Sequence, residues 1–125
     1  RERTEIKTTF ELVRIIEGCV PKDFRKSKIH RATKTFQALR IAVNDELHTL
    51  ELGLQNGFDK LKKDGRMAVI SFHSLEDRIV KRYFKKLEQE GSAILINKKP
   101  ITPKEEEIKN NNRARSSKLR ILEKK

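Results

Sequence analysis

The chain has 125 residues, enough for one domain with a modest hydrophobic core. It carries 30 Lys and Arg against 18 Asp and Glu, a net charge of +12 that favours a polyanionic partner such as nucleic acid or an anionic surface. The single cysteine, Cys19, excludes an intrachain disulfide, and no apolar run is long enough to span a bilayer as a helix.

The first residues, Arg1-Glu2-Arg3, are charged and lack an initiator Met, so the chain reads as a piece of something longer. No secretory signal precedes the first helix, and Cys19, read as a buried thiol, fits a reducing cytoplasm. The first helix is expected over Thr9 to Glu17. Thr8 and Glu11 have capping-box spacing, Phe10, Leu12, Val13, Ile15 and Ile16 make a broad apolar face, and Gly18 with Pro21 ends the helix. Lys22 to Lys34 reads as a basic loop.

A second, long helix is expected from Phe36 to Lys63. Phe36, Leu39, Val43, Leu47, Leu50, Leu54, Phe58 and Leu61 recur at steps of three and four, with Gly53 and Gly57 as points where it bends. Unbroken, such a helix spans roughly 40 Å. Asp64-Gly65 then turns the chain. Met67 to Phe72 is an apolar run of strand length, suited to a strand buried on both faces.

A third helix follows at once. Leu75, Ile79, Val80, Tyr83, Phe84 and Leu87 line one side; Arg78, Lys81, Arg82, Lys85 and Lys86 line the other and read as solvated surface. Gly91 closes it. Ala93 to Asn97 is a short strand, and Thr102-Pro103-Lys104-Glu105 marks the start of a short helix ending near Lys109. Asn110 to Ser116 reads as loop, and Lys118 to Leu122 as a last strand. Alternating helices and strands define an α/β fold of doubly wound type, but three strands are too few to complete it.

In open α/β sheets ligands bind beyond the carboxyl ends of the strands, where Ser71, His73 and Ser74 fall. Ser74 and Asp77 have capping-box spacing, so a cap is the preferred role for both. His73 has no such local role, and pocket-lining and structural readings stay open for it. Arg40 and Asn44 lie one turn apart off the apolar stripe, as pocket residues or as a polar network. Arg113, Arg115 and Lys118 suit phosphate contacts before the last strand. No metal cage or nucleophilic triad forms around His73, since His30 and His48 are distant in sequence.

Three stretches carry a resemblance to a known family. Lys34-Thr35-Phe36-Gln37-Ala38-Leu39-Arg40-Ile41-Ala42-Val43-Asn44-Asp45-Glu46-Leu47 is one. Gly65-Arg66-Met67-Ala68-Val69-Ile70-Ser71-Phe72-His73-Ser74-Leu75-Glu76-Asp77-Arg78-Ile79-Val80-Lys81 is the second. The third runs from Lys99-Pro100-Ile101-Thr102-Pro103 through Glu105-Glu106-Glu107-Ile108 and Arg113-Ala114-Arg115-Ser116 to Lys118-Leu119-Arg120. Long, nearly uninterrupted and in the same order, they resemble the MraW/RsmH methyltransferases. The chain departs from the family pattern at Arg31, at Asn112 directly before Arg113, and at Ser117.

The resemblance implies methylation of the N4 amine of a cytidine in small-subunit (16S) ribosomal RNA, with S-adenosylmethionine as donor. It implies the C-terminal half of a Rossmann-like class I methyltransferase sheet. Residues 1–30 would then end an inserted helical domain, and 31–125 would supply the fifth, sixth and seventh strands, the last antiparallel. Ser71, His73, Ser74, Arg40 and Asn44 would border the target base, and Arg113, Arg115 and Lys118 would meet RNA. The five glycines form no donor-binding cluster, so the donor would be held mainly by the N-terminal half, and this chain alone would be inactive. The partner would be small-subunit RNA or the 30S particle in the cytoplasm, with no membrane contact; homodimerisation stays open. The alternative is a non-enzymatic basic RNA-binding module on a partial α/β scaffold.

Overall fold

A computed structural model describes residues 5–19 and 30–125. Most of the basic stretch from Lys22 to Lys34 lies outside the described residues, as do Arg1 to Arg3. The chain divides into two compact units, Arg1–Asn44 and Asp45–Lys125.

In the first unit, α1 spans Thr9–Cys19 and begins with the expected capping box. Glu11 N–H donates to Thr8 Oγ1 (3.2 Å), and the Glu11 carboxylate accepts from Thr8 N–H (3.2 Å) and Lys7 N–H (2.7 Å). The helix runs past Gly18, and Cys19 is exposed, not buried as the sequence suggested. α2 spans Thr33–Asn44. His30 Nδ1 accepts from Ala32 N–H just before it, and Ala32 is buried.

The expected single long helix is two helices. α2 stops at Asn44, and α3 runs Glu46–Lys60. Between them Asp45 has φ 48° and ψ 42°, a left-handed conformation that a short polar side chain tolerates better than most. The apolar spacing runs on in sequence across the break, but Leu39 and Val43 before it are exposed while Leu54 and Phe58 after it are buried. Gly53 and Gly57, where a bend was expected, lie inside unbroken helix.

The second unit is built on a three-stranded sheet of order β1-β3-β2. β1 is Arg66–Ser71, β2 is Ala93–Leu95 and β3 is Lys118–Lys124. β3 is antiparallel to both neighbours, so β1 and β2 run the same way. α4, Ser74–Gln89, packs across one face, and Gly91 at φ 74° ends it. The core joins Leu54 and Phe58 of α3, Val80, Phe84 and Leu87 of α4, Ala93 and Leu122. Phe58 and Tyr83 meet edge to face at 6.5 Å. Lys124 Nζ sits 4.8 Å above the Phe58 ring and donates to Phe58 C=O at 2.9 Å, tying β3 to the end of α3.

β1 is not buried on both faces. Met67, Val69 and Ser71 turn inward, while Ile70 is 57% exposed and Phe72 beyond it 53%. Ile94, Ile96 and Ile101 are exposed as well, and the register places Ile70, Leu119 and Ile101 together on the outer face. Among the described residues of this unit the sheet is therefore covered on the α4 side only, with an apolar opposite face.

α5 spans Glu105–Asn110. Its cap position is Lys104 with no side-chain cap bond, and the helix begins at Glu105, the last residue of the Thr102-Pro103-Lys104-Glu105 start signal. Asn112–Ser116, read as loop, forms a 3₁₀ turn. Buried Ala114 anchors it, and Asn111 Oδ1 accepts from Arg113 N–H.

Candidate functional site

The carboxyl end of β1 lies beside the start of β3, because Ser71 pairs with Lys118. β2 ends on the same side, so the loops after β1 and β2 and before β3 gather at one end of the sheet. Four of the residues singled out from sequence meet here: Ser71, His73, Ser74 and Lys118, with Arg113 and Arg115 just upstream.

Ser71 is buried, on the face that α4 covers. His73, in extended conformation at φ −142° and ψ 167°, is the N-cap of α4. Its Nδ1 accepts from Glu76 N–H (3.3 Å), and the Glu76 carboxylate accepts from His73 N–H (3.2 Å) and Phe72 N–H (2.8 Å). The capping box is thus His73 with Glu76, one residue earlier than the expected Ser74 with Asp77. A histidine can take this place because a neutral imidazole offers one lone pair. Ser74 becomes the first helical residue and is exposed.

The cap fixes the tautomer. With its Nδ1 lone pair engaged, neutral His73 carries its proton on Nε2. Nε2 is buried, 3.3 Å from Glu76 Oε1 but out of line for a hydrogen bond. Glu46, at the start of α3, brings a second carboxylate, so ligand-capable atoms of Glu46, His73 and Glu76 lie within 4.8 Å of one another. A metal on Nε2 would require the proton on Nδ1, which would face the Glu76 N–H. The cap and a His73-bound metal are mutually exclusive, and the cluster is read as carboxylates around an imidazole N–H.

Asp77, released from capping, faces the sheet. Its carboxylate accepts from Arg120 Nε (2.8 Å), Arg120 Nη2 (3.3 Å) and Lys118 Nζ (3.4 Å). The hydrogen bond from Arg120 lowers the Asp77 pKa below its ordinary value; burial opposes this, and the Arg120 and Lys118 charges assist it. Lys118, expected to meet RNA, is half-buried and paired with Asp77. Sequence reasoning missed the Asp77–Arg120 pair. The signal was present: Arg120 has the same strand parity as Leu122, so it points inward and needs a buried carboxylate.

Arg113 and Arg115 stand exposed on the 3₁₀ turn, on either side of buried Ala114. Arg40 and Asn44 lie one turn apart on α2, in the first unit, and both are exposed.

An α/β unit whose polar and basic loops converge beyond the carboxyl ends of its parallel-running strands has the layout of a ligand-binding α/β protein. The chain belongs to the MraW methylase family, whose model matches residues 1–125. It is 51% identical over 121 residues to ribosomal RNA small subunit methyltransferase H of Sulfurihydrogenibium sp. (strain YO3AOP1), covering 97% of this chain and 41% of that protein. It is 54% identical over 120 residues to the protein of that name from Elusimicrobium minutum (strain Pei191), covering 96% of this chain and 40% of the relative. The Acetivibrio thermocellus (strain ATCC 27405) relative, again of that name, is 47% identical over 139 residues, covering 99% and 44%. The chain therefore spans well under half the length of these relatives. No helix among the described residues is long and apolar enough to cross a membrane.

Proposed function

We propose that this chain is the C-terminal part of a longer enzyme that methylates the N4 amine of a cytidine in small-subunit ribosomal RNA, with S-adenosylmethionine as donor. The observation that carries this reading is the family match along the whole chain, together with relatives named as small-subunit rRNA methyltransferases. The one-sided sheet supports the reading of a partial methyltransferase domain. Among the described residues its apolar outer face is exposed and β1 has a neighbour on one side only. Residues 1–30 belong, on this reading, to an inserted helical domain, and 31–125 to the last three strands of a Rossmann-like sheet.

The junction after β1 does not fit the donor. Its backbone N–H groups at Phe72, His73 and Glu76 are already taken by Glu76 and His73 side chains, and a carboxylate sits at the helix start. No step through the donor is derived from these residues. Their part is with the RNA. A cytosine N4 lone pair is delocalised into the ring, so the reaction gains most from holding the amine in line and excluding water. The base must leave its stack to arrive. In this reading His73 keeps the tip rigid through its cap, Ser74 is placed to meet the base, and Arg113 and Arg115 hold phosphates. The setting is the cytoplasm, where small subunits are assembled.

The test is methyl transfer from labelled donor to small subunits lacking the modification, with the complete enzyme and with this chain alone. The reading expects label only with the complete enzyme. Stoichiometric RNA binding without transfer by the complete protein would favour a non-enzymatic binding module.

A further inference from the structure

The outer flank of α4 meets the β2 edge in a shallow groove of about 180 Å³ that reaches the loop after β2 at Asn97 and Lys98 and is also lined by Arg120. Phe84 and Leu95 contribute apolar surface, and Lys81, Lys85 and Lys98 are exposed around it. Glu88 is its acidic member. From sequence the lysines of α4 read as solvated surface, but here they border a groove, and three features bear on it. Lys81 and Lys85 stand one helical turn apart, where like charges repel. Neither they nor Lys98 has an ion pair among the described residues, whereas Lys86 on another flank pairs with Glu90. Lys98 is carried by a fixed loop: Asn97 donates to Lys99 C=O (2.7 Å) and Leu119 C=O (3.1 Å) and accepts from Ile121 N–H (2.7 Å).

We propose that this groove is a second contact for the RNA backbone, with Lys81, Lys85 and Lys98 engaging phosphates away from the target base. The proposal rests on the reading that the complete enzyme acts on ribosomal RNA. Three cations without ion pairs, against the single carboxylate of Glu88, suit a polyanion that follows the concave surface. The β2 strand ends at the side of the sheet where His73, Arg113 and Arg115 lie, so one RNA segment can touch both places. Backbone contacts of this kind set register and affinity, not base choice.

The test uses the complete enzyme and small subunits lacking the modification, with binding measured across a salt series and turnover at saturating substrate. The variant is Lys81→Gln with Lys85→Gln and Lys98→Gln; the corresponding Lys→Arg variant keeps the charge. The glutamine variant should bind about tenfold more weakly at ~0.1 M salt and show a salt slope smaller by about 2, and the arginine variant should restore both. Turnover at saturation should match the wild type. Wild-type affinity and slope in the glutamine variant, with wild-type methyl transfer intact, would overturn the groove and leave the enzyme reading standing. Reduced turnover with an unchanged slope would overturn it too, as a structural effect. A wild-type enzyme that transfers no methyl group would overturn the enzyme reading itself, and the groove proposal with it.

Discussion

Arg120 grips Asp77 across the helix–sheet boundary, Nε to Oδ1 at 2.8 Å and Nη2 to Oδ2 at 3.3 Å, with side chains only 8% and 13% exposed. The pair ties the first turn of α4 to the centre of the sheet, directly beneath the His73–Ser74 tip. Removing one partner leaves the other charge buried. Asp77→Ala should destabilise the protein by about 3 kcal/mol, and Asp77→Ala with Arg120→Met should recover much of that. Denaturant unfolding of the single and double variants checks this. A loss under about 0.5 kcal/mol in the single variant would mean that the pair is not structural.

The same pair makes stability pH-dependent. The folded-state pKa of Asp77 is depressed, chiefly by the Arg120 hydrogen bond, below its ordinary 3.8. A depressed carboxylate contributes stability above its unfolded value and loses it as pH falls through the folded value. The stability gap between wild type and Asp77→Asn should therefore be full at pH 5 to 8 and shrink below about pH 4. Unfolding at pH 7 and pH 3 compares the two. A gap that stays constant would remove Asp77 from the acid response.

His73 as a cap and His73 as a substrate contact can be separated by substitution. His73→Ala should cost about 1 kcal/mol, while His73→Asn, a strong N-cap, should keep most of the stability. Because the imidazole Nε2 is buried near Glu76 and Glu46, methyl transfer should follow stability and return in the Asn variant. Stability restored without turnover would show that the imidazole itself touches the base.

Two glycines should respond oppositely to alanine. A Cβ at Gly53 meets nothing within 4 Å, so Gly53→Ala in α3 should stabilise by about 1 kcal/mol. At Gly65 a Cβ would lie 2.8 Å from the Lys62 carbonyl oxygen, inside the turn closed by Gly65 N–H to Lys62 C=O. Gly65→Ala should lower the melting temperature by several degrees, and an increase would contradict the turn geometry.

Much of this fold was legible because local signals agreed with it. Thr8 and Glu11, Asp64-Gly65, Gly91 and the apolar stripe of α4 each marked a boundary or a face that the structure keeps. The misreadings share a cause: a local pattern was trusted where a distant group decides. Ser74 and Asp77 have cap spacing, but Arg120, more than 40 residues away, claims Asp77, and His73 takes the cap. The helix periodicity crosses Asp45 without a fault, since one left-handed residue leaves no mark in an apolar count. The run Met67 to Phe72 looked buried on both faces because its outer residues are apolar, yet among the described residues nothing covers Ile70 and Phe72. The pairing of Lys118 with Asp77 was not legible, because the two are remote in sequence.

The central claim is the identity of the methylated atom. The most direct measurement is nucleoside mass spectrometry of small-subunit RNA after incubation with the complete enzyme and isotopically labelled S-adenosylmethionine. The account predicts label on the exocyclic N4 of one cytidine. Label on a ring carbon or a ribose, or no labelled cytidine at all, would contradict it.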